Sequence, residues 1–211
     1  MKEHIIKEIL RKEWKMFINV QNKGGKALCQ EDHKTFTVMR YSQFESLPIN
    51  ILESYFHDLA VAERQGRNLM TEKYARMMES TAPLEYEEIK NLLVEIDAES
   101  QKYIEKIIPI FLKWEKVFQS EYPYLSSISR PILSSEDSLS STSFETYFKA
   151  ELSTYSSNTL RLYYSFIKRN FDNNINLSRK IQSNIVTKYG YNSLQEANDS
   201  VKRKILRHES N

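Results

Sequence analysis

The sequence predicts an all-α protein of about nine or ten helices. Three observations carry that prediction. Apolar residues recur at three- and four-residue steps, no segment alternates polar and apolar over a strand's length, and only 4 glycines and 5 prolines interrupt 211 residues. A chain of this length can bury a substantial core, and it reads as a single domain over 1–211.

The first helix is expected over about 2–18, where Ile5, Ile6, Ile9, Leu10, Trp14 and Phe17 share one stripe. Asn22, Gly24 and Gly25 then end it in a loop reaching about Thr35. A short second helix carries Phe36, Met39, Arg40, Gln43 and Phe44. Pro48 starts the third, since its missing N–H costs nothing at a helix start. Gly66 is the expected left-handed stop, Asn68 the cap of the next helix, and Pro83 the start of another. Asp97 or Ser100 opens a long helix carrying Tyr103, Ile104, Ile107, Phe111, Trp114 and Phe118, which Pro109 is expected to kink or split. Tyr122 to Ser141 is rich in Ser and reads as a loop. Thr142-Ser143-Phe144-Glu145 and Ser193-Leu194-Gln195-Glu196 each have the capping-box pattern, in which a hydroxyl and a carboxylate satisfy opposing backbone donors. Asn158 and Asn176 mark two further breaks, and Gly190 a third.

The two halves repeat their landmarks. Trp14 and Phe17 open the first, Trp114 and Phe118 the second. Six identical pairs then follow at a constant spacing of 108: Phe36/Phe144, Asn50/Asn158, Leu52/Leu160, Tyr55/Tyr163, Asn68/Asn176 and Leu69/Leu177. The expectation is a pseudo-duplicated helical unit, over about 10–95 and 100–191, followed by a C-terminal helix over about 193–207.

Composition excludes several classes. Thirty basic residues stand against 28 acidic ones, so no strong field draws the chain to nucleic acid or an anionic membrane. The single cysteine, Cys29, rules out an internal disulfide framework and fits a reducing cytoplasm. The charged N-terminus lacks the apolar run of a signal peptide, and nothing approaches the roughly 18 apolar residues of a membrane span. The sequence therefore points to a cytoplasmic, soluble protein.

The run Gly66-Arg67-Asn68-Leu69-Met70-Thr71-Glu72-Lys73-Tyr74-Ala75-Arg76-Met77-Met78-Glu79-Ser80-Thr81-Ala82-Pro83 resembles the signature of an uncharacterised bacterial family, domain of unknown function number 4125. Ser143-Phe144-Glu145-Thr146-Tyr147 and Glu151-Leu152-Ser153-Thr154-Tyr155-Ser156 resemble it too. The likeness runs from Trp14 to about Glu196. It implies a small bacterial helical protein, and supplies no activity, ligand or catalytic residue.

Two polar clusters precede the Phe36 and Phe144 helices: Cys29 to His33, and Arg130 to Asp137. Arg40 and Gln43 lie one turn apart among apolar residues, and a buried Arg requires a carboxylate, for which Asp32, Glu136 and Asp137 are the candidates. One reading is a site for an anion or polar metabolite, with Arg40 and Arg130 neutralising charge. Asp32, Glu136 or Asp137 would then accept hydrogen bonds or act as general base, with Gln43 alongside. The other reading is an ion-pair network pinning loops to helices.

The remaining motifs have plain readings. Cys29 and His33 are spaced as by chance rather than as a thiolate–imidazole pair. None of His4, His33, His57 and His208 follows a Glu at the Glu-x-x-His spacing, and Glu53 with His57 reads as an exposed pair, so no metal or other cofactor is expected. Asn22-Lys23-Gly24-Gly25-Lys26 lacks the spacing of a P-loop. Met70, Met77 and Met78 read as core filling, and Lys73 and Arg76 beside Glu72 and Glu79 as a solvated, self-paired face. The basic run Val201 to His208 complements a helix C-terminus and lacks the aromatic interleaving of a nucleic-acid surface. Two functions remain open: a pocket protein or enzyme acting on a small polar or anionic metabolite between the two loops, and a non-catalytic helical module for a protein partner. Oligomeric state is not legible.

Overall fold

The structure, a computed structural model, describes residues 1–21 and 25–209, with side chains through Arg207. Asn22, Lys23 and Gly24 of the expected helix-ending loop, and the side chain of His208, lie outside the described residues. Eleven α-helices and no strand occur among the described residues. No described helix is long and apolar enough to cross a membrane.

Helix α1 (Lys2–Ile18) buries Ile6, Ile9, Leu10 and Phe17 of the predicted stripe and Met16 besides, while Ile5 and Trp14 are half-buried at its edges. Helix α2 (His33–Glu45) starts where the Asp32 carboxylate accepts the Thr35 N–H, and α3 (Ile49–Arg64) follows Pro48. Gly66 takes φ +70°, a left-handed conformation that L side chains rarely adopt, and ends α3. Asn68 then caps α4 (Leu69–Thr81) by accepting from the Met70 and Thr71 N–H groups. Short α5 (Pro83–Ile89) closes the first half.

Asp97 caps α6 (Ala98–Glu121), which runs unbroken through Pro109. Pro109 is exposed, so water can serve the carbonyl its missing N–H leaves free, and the helix is not split as the sequence had suggested. The stretch read as loop contains a one-turn helix, α7 (Pro123–Ser127), because Pro123 fits a first helical position. Helix α8 (Phe144–Leu152) is capped by Ser143 rather than Thr142. The expected box does not close there, because Glu145 turns to the Ser134 N–H instead. Asn158 lies inside α9 (Ser157–Asp172), whose cap is Ser156, so Asn158 marks no break. Asn176 caps α10 (Leu177–Lys188), and Gly190, at φ +89°, ends it. Ser193 caps α11 (Leu194–Glu209) by accepting the Glu196 N–H, while Glu196 reaches back to Asn192 instead of closing a box.

Helix α1 packs on α2, α3 and α4, while α6 packs on α8, α9 and α10. Across the seam α3 meets α9, α4 meets α8 and α10 meets α2. One apolar core spans both halves, with Leu52 and Leu160 fully enclosed, each contributing about 1.5–3 kcal/mol of burial. A smaller cluster of Phe118, Leu125, Val186, Leu194 and Ala197 seats α7 and α11 on the end of α6.

Local detail recurs at the 108 spacing. Asn174, at φ +57°, stands 108 residues after Gly66, and both lie just past a helix end. The Arg67 N–H donates to the Ala62 carbonyl and the Ile175 N–H to the Asn170 carbonyl, at 2.9 and 2.8 Å. Asn68 Nδ2 donates to the Met16 carbonyl at 2.8 Å, and Asn176 Nδ2 to the Trp114 carbonyl at 3.1 Å. By these bonds Trp114 answers to Met16, not to Trp14 as the landmark pairing had it.

Candidate functional site

At the seam, four helices bring charged side chains to one buried point. Glu13 comes from α1, Arg40 and Gln43 from α2, Lys73 from α4 and Glu151 from α8. Tyr55 of α3 and Tyr155, just after α8, complete it. Glu13 is 0% exposed, Lys73 and Glu151 2% and Arg40 6%. Arg40 grips Glu13 side-on, with Nε to Oε2 at 2.8 Å and Nη2 to Oε1 at 2.5 Å. Its Nη1 donates to both Glu151 oxygens, at 2.9 and 3.0 Å, and to Gln43 Oε1 at 2.7 Å. Lys73 Nζ donates to Glu151 Oε2 at 2.6 Å, and Gln43 Nε2 to Glu151 Oε1 at 3.0 Å. The Tyr55 hydroxyl donates to Glu13 at 2.6 Å and the Tyr155 hydroxyl to Glu151 at 3.0 Å.

Two cations face two carboxylates, so the cluster is neutral, and all three Arg40 nitrogens have protein acceptors. Burial alone would raise the Glu151 carboxyl, but Arg40 and Lys73 overturn that and hold it well below the usual carboxylate range. Burial likewise pulls Arg40 down, and Glu13 and Glu151 more than restore it, to well above its ordinary value. Burial, reinforced by the neighbouring carboxylates, pushes the Tyr55 and Tyr155 hydroxyls far up, so they remain donors.

Of the residues the sequence singled out, Arg40 and Gln43 lie in this cluster. The carboxylates on Arg40 are Glu13 and Glu151, however, not Asp32, Glu136 or Asp137. Asp32 and Glu136 are committed to local backbone, and Asp137 to one backbone N–H and two hydroxyls. Asp32 is exposed and caps α2, and exposed Glu136 accepts the Leu133 N–H at 3.0 Å. Asp137 binds the Ser143 N–H at 2.5 Å and the Thr146 and Ser80 hydroxyls, tying the loop to α8 and α4. Arg130 is exposed, donates to the Thr142 carbonyl at 3.0 Å and lies 4.7 Å from the Tyr147 ring centre. Lys73 Nζ lies 3.6 Å from the same ring, so Arg130 touches the cluster only through Tyr147. Tyr74 is held above its ordinary value, chiefly by burial, then by Tyr147 and Cys29, against the pull of Arg130 and Arg40.

Sequence reasoning missed Glu13, Lys73 and Glu151. Lys73 and Glu72 are not a solvated face. Lys73 is enclosed, and Glu72 pairs side-on with Arg67 at 2.8 and 2.7 Å. A signal was present. Glu13 lies on the stripe of Ile6, Ile9, Leu10 and Phe17, Lys73 on that of Leu69, Met70 and Met77, and Glu151 beside Phe148, Leu152 and Tyr155. A charge on an apolar stripe demands a distant partner. Met70 and Met77 are buried as core filling, and His33 stacks edge-on against Trp14 at 4.7 Å.

A separate concavity of about 460 Å³ opens between α3, the ends of α4, the start of α6 and the α8–α9 turn. Arg67, Arg76, His57, Asp58, Asp97 and Tyr155 are among its walls. Asp58 is committed to the Ser156 N–H at 3.0 Å and the Thr159 hydroxyl at 2.6 Å. Arg76 Nη2 donates to the Val94 carbonyl, but Arg76 Nε is enclosed with no acceptor, and Arg76 has no carboxylate partner among the described residues. Burial lowers its pKa. None of the six sequence-predicted site residues lines this concavity. Among the described residues no three His, Cys, Asp or Glu side chains gather as metal ligands.

The family model described as "Protein of unknown function (DUF4125)" matches residues 3–199, and the chain belongs to that family. No curated protein and no solved structure matches it. The stretches that carried the family resemblance hold Lys73 and Arg76 in one run and Glu151 and Tyr155 in another.

Proposed function

We propose that this protein binds a small polar or anionic metabolite, in the concavity beside Arg76 rather than between the loops before Phe36 and Phe144. The observation that carries this reading is the state of Arg76. It is a half-buried guanidinium on the wall of a 460 Å³ concavity, with an enclosed donor and no carboxylate. An unpaired buried donor on a charged group costs roughly 1–3 kcal/mol or more, which an anionic ligand would relieve after a modest swing of the side chain. Arg40 offers no such opening, since Glu13, Gln43 and Glu151 already occupy its nitrogens.

The test is a thermal-shift screen of the full chain against a metabolite library, repeated on Arg76→Gln and Arg130→Gln. A ligand that stabilises the parent and Arg130→Gln but not folded Arg76→Gln supports the reading. Loss in Arg130→Gln with retention in Arg76→Gln would return the site to the loops.

A second reading, a helical module for a protein partner, has one observation in its favour. The outer face of α6 forms a shallow, largely apolar hollow lined by Pro109, Leu112, Lys113, Lys116, Val117 and Ser120. Duplication of one helical unit over about 10–95 and 100–191 is part of the proposal, supported by the paired caps, the paired left-handed positions and the reciprocal packing of α4 on α8 and α2 on α10. A cytoplasmic setting belongs to it as well, supported by the lone, exposed thiol of Cys29, and a bacterial source rests on the family resemblance alone.

A further inference from the structure

The charges around the concavity do not all remain available. Arg67 is held side-on by Glu72. Asp58 is taken by Ser156 and Thr159. Asp97 caps α6, accepting the Ser100 N–H at 2.9 Å and the Ser100 hydroxyl at 2.6 Å. Two opposite charges are left on the wall. Arg76 has only the Val94 carbonyl, and Glu95, the next residue, has no ion pair among the described residues. The Arg76–Val94 bond brings the two into one neighbourhood, yet they do not pair with each other.

We infer that the ligand of this concavity is a compact zwitterion, its anionic group on Arg76 and its cationic group on Glu95. The inference rests on the proposal that the concavity is a binding site, and it adds the ligand's class. A lone cation on the wall would suit any anion, and a lone acid any amine. A half-buried guanidinium and an exposed carboxylate on one wall, neither in an ion pair, instead complement a molecule whose two charges lie close together, as in an α-amino acid. A ligand with only an amine would leave the enclosed Arg76 Nε unpaired, and one with only a carboxylate would forgo the attraction of the exposed Glu95, so the zwitterion gains from both. The volume of about 460 Å³ leaves room for a side chain beyond the two charged groups.

The experiment is calorimetric titration of the full chain with the twenty L-α-amino acids, the corresponding carboxylates lacking the amine, and the corresponding amines lacking the carboxylate. Parent, Arg76→Gln and Glu95→Gln are compared, with circular dichroism and melting temperature confirming that each variant is folded. The expected result is that at least one amino acid binds, that its deaminated partner binds at least about tenfold more weakly, and that Glu95→Gln brings a similar loss. Arg76→Gln should abolish binding. A carboxylate that binds as tightly as its amino acid, or binding unchanged in Glu95→Gln, overturns the zwitterion and leaves the site standing. A silent panel beside a library anion that requires Arg76 does the same. If no compound from panel or library binds in an Arg76-dependent way, the site and the inference fall together.

Discussion

Two regions of this protein hold arginines in opposite states. At the centre, Arg40 is enclosed by partners from α1, α2 and α8, and each of its nitrogens has an acceptor. At the rim, Arg76 has one carbonyl and an enclosed N–H with none. A buried charge that is fully paired is part of the architecture, and removing one member leaves the others stranded. A charge left short of partners destabilises the fold slightly and has capacity for something else. The difference separates what holds this protein together from where it can bind.

On the proposed duplication, the central cluster has a counterpart in the second half. In the first half, Glu13 and Arg40 join α1 to α2. In the second, Phe111 and Phe148 join α6 to α8, with ring centres 4.5 Å apart. Phe148 follows Arg40 by 108 residues, and Phe111 follows Glu13 by 98, the spacing that also relates Ile6 to Ile104, Ile9 to Ile107 and Met16 to Trp114. One junction is an ion pair and the other an aromatic contact, and both lie in the same continuous core. On the proposed duplication, an ion pair is one of two solutions to the same packing problem.

The largest expected effect comes from breaking the central pair. Arg40→Ala strands Glu13 and removes one of Glu151's two cations in the core, and should cost about 3–5 kcal/mol in denaturant unfolding. Replacing the pair together, Glu13→Phe with Arg40→Phe, imitates the second half and should recover at least about 1 kcal/mol of that loss. A double variant as unstable as the sum of its singles would show that the ion pair is not interchangeable with an aromatic contact.

Acid should act on the same cluster. The Glu151 carboxyl is depressed, so its contribution is present above the ordinary glutamate value of about 4.3 and is lost as pH falls below it, toward the folded value. Denaturant midpoints of the parent should drop between about pH 5 and pH 3, and Glu151→Gln, though less stable at neutral pH, should show a flatter curve there. The buried Tyr55 and Tyr155 hydroxyls are raised, so their contribution is intact below about pH 10 and fades above it.

Smaller effects compare the halves. Asn68→Ala and Asn176→Ala each remove a helix cap together with a bond to a carbonyl of α1 or α6, and each should cost about 1–2 kcal/mol. Gly66→Ala places a Cβ at φ +70° with no atom within 4 Å, so its cost is backbone strain alone, about 1–2 kcal/mol. Gly66→Asn, which reproduces the second half's Asn174, should cost less. Smallest of all, Arg76→Gln should stay within about 1 kcal/mol of the parent, because loss of the Val94 bond is offset by removal of an enclosed donor that has no acceptor.

Much of the fold was legible because helix boundaries are set locally. Asp32, Gly66, Asn68, Asp97 and Asn176 act on neighbours within a few residues, and local chemistry identifies them. The Thr142 box failed for an equally physical reason, since Asp137 and Ser134 reach the start of α8 through a loop whose path the sequence does not reveal. The site was legible only in part. Arg40 and Gln43 stand out as polar residues on an apolar face, but the partners of Arg40 lie 27 and 111 residues away, and only the folded chain selects them. The acids of the two polar loops drew attention by composition, yet short acidic side chains beside helix starts have backbone N–H groups as their nearest partners. Arg76 was hidden by its sequence neighbours, which look like i, i+3 and i, i+4 partners and in the fold are not.

The most direct measurement is ligand-induced stabilisation in two variants side by side, Arg76→Gln and the Glu13→Phe, Arg40→Phe pair. The account predicts that a compound raising the parent's melting temperature also raises that of the pair, measured from its own lower baseline, and leaves Arg76→Gln unmoved. Stabilisation that survives in Arg76→Gln and vanishes in the folded pair would contradict it, and would place the binding chemistry at the central cluster.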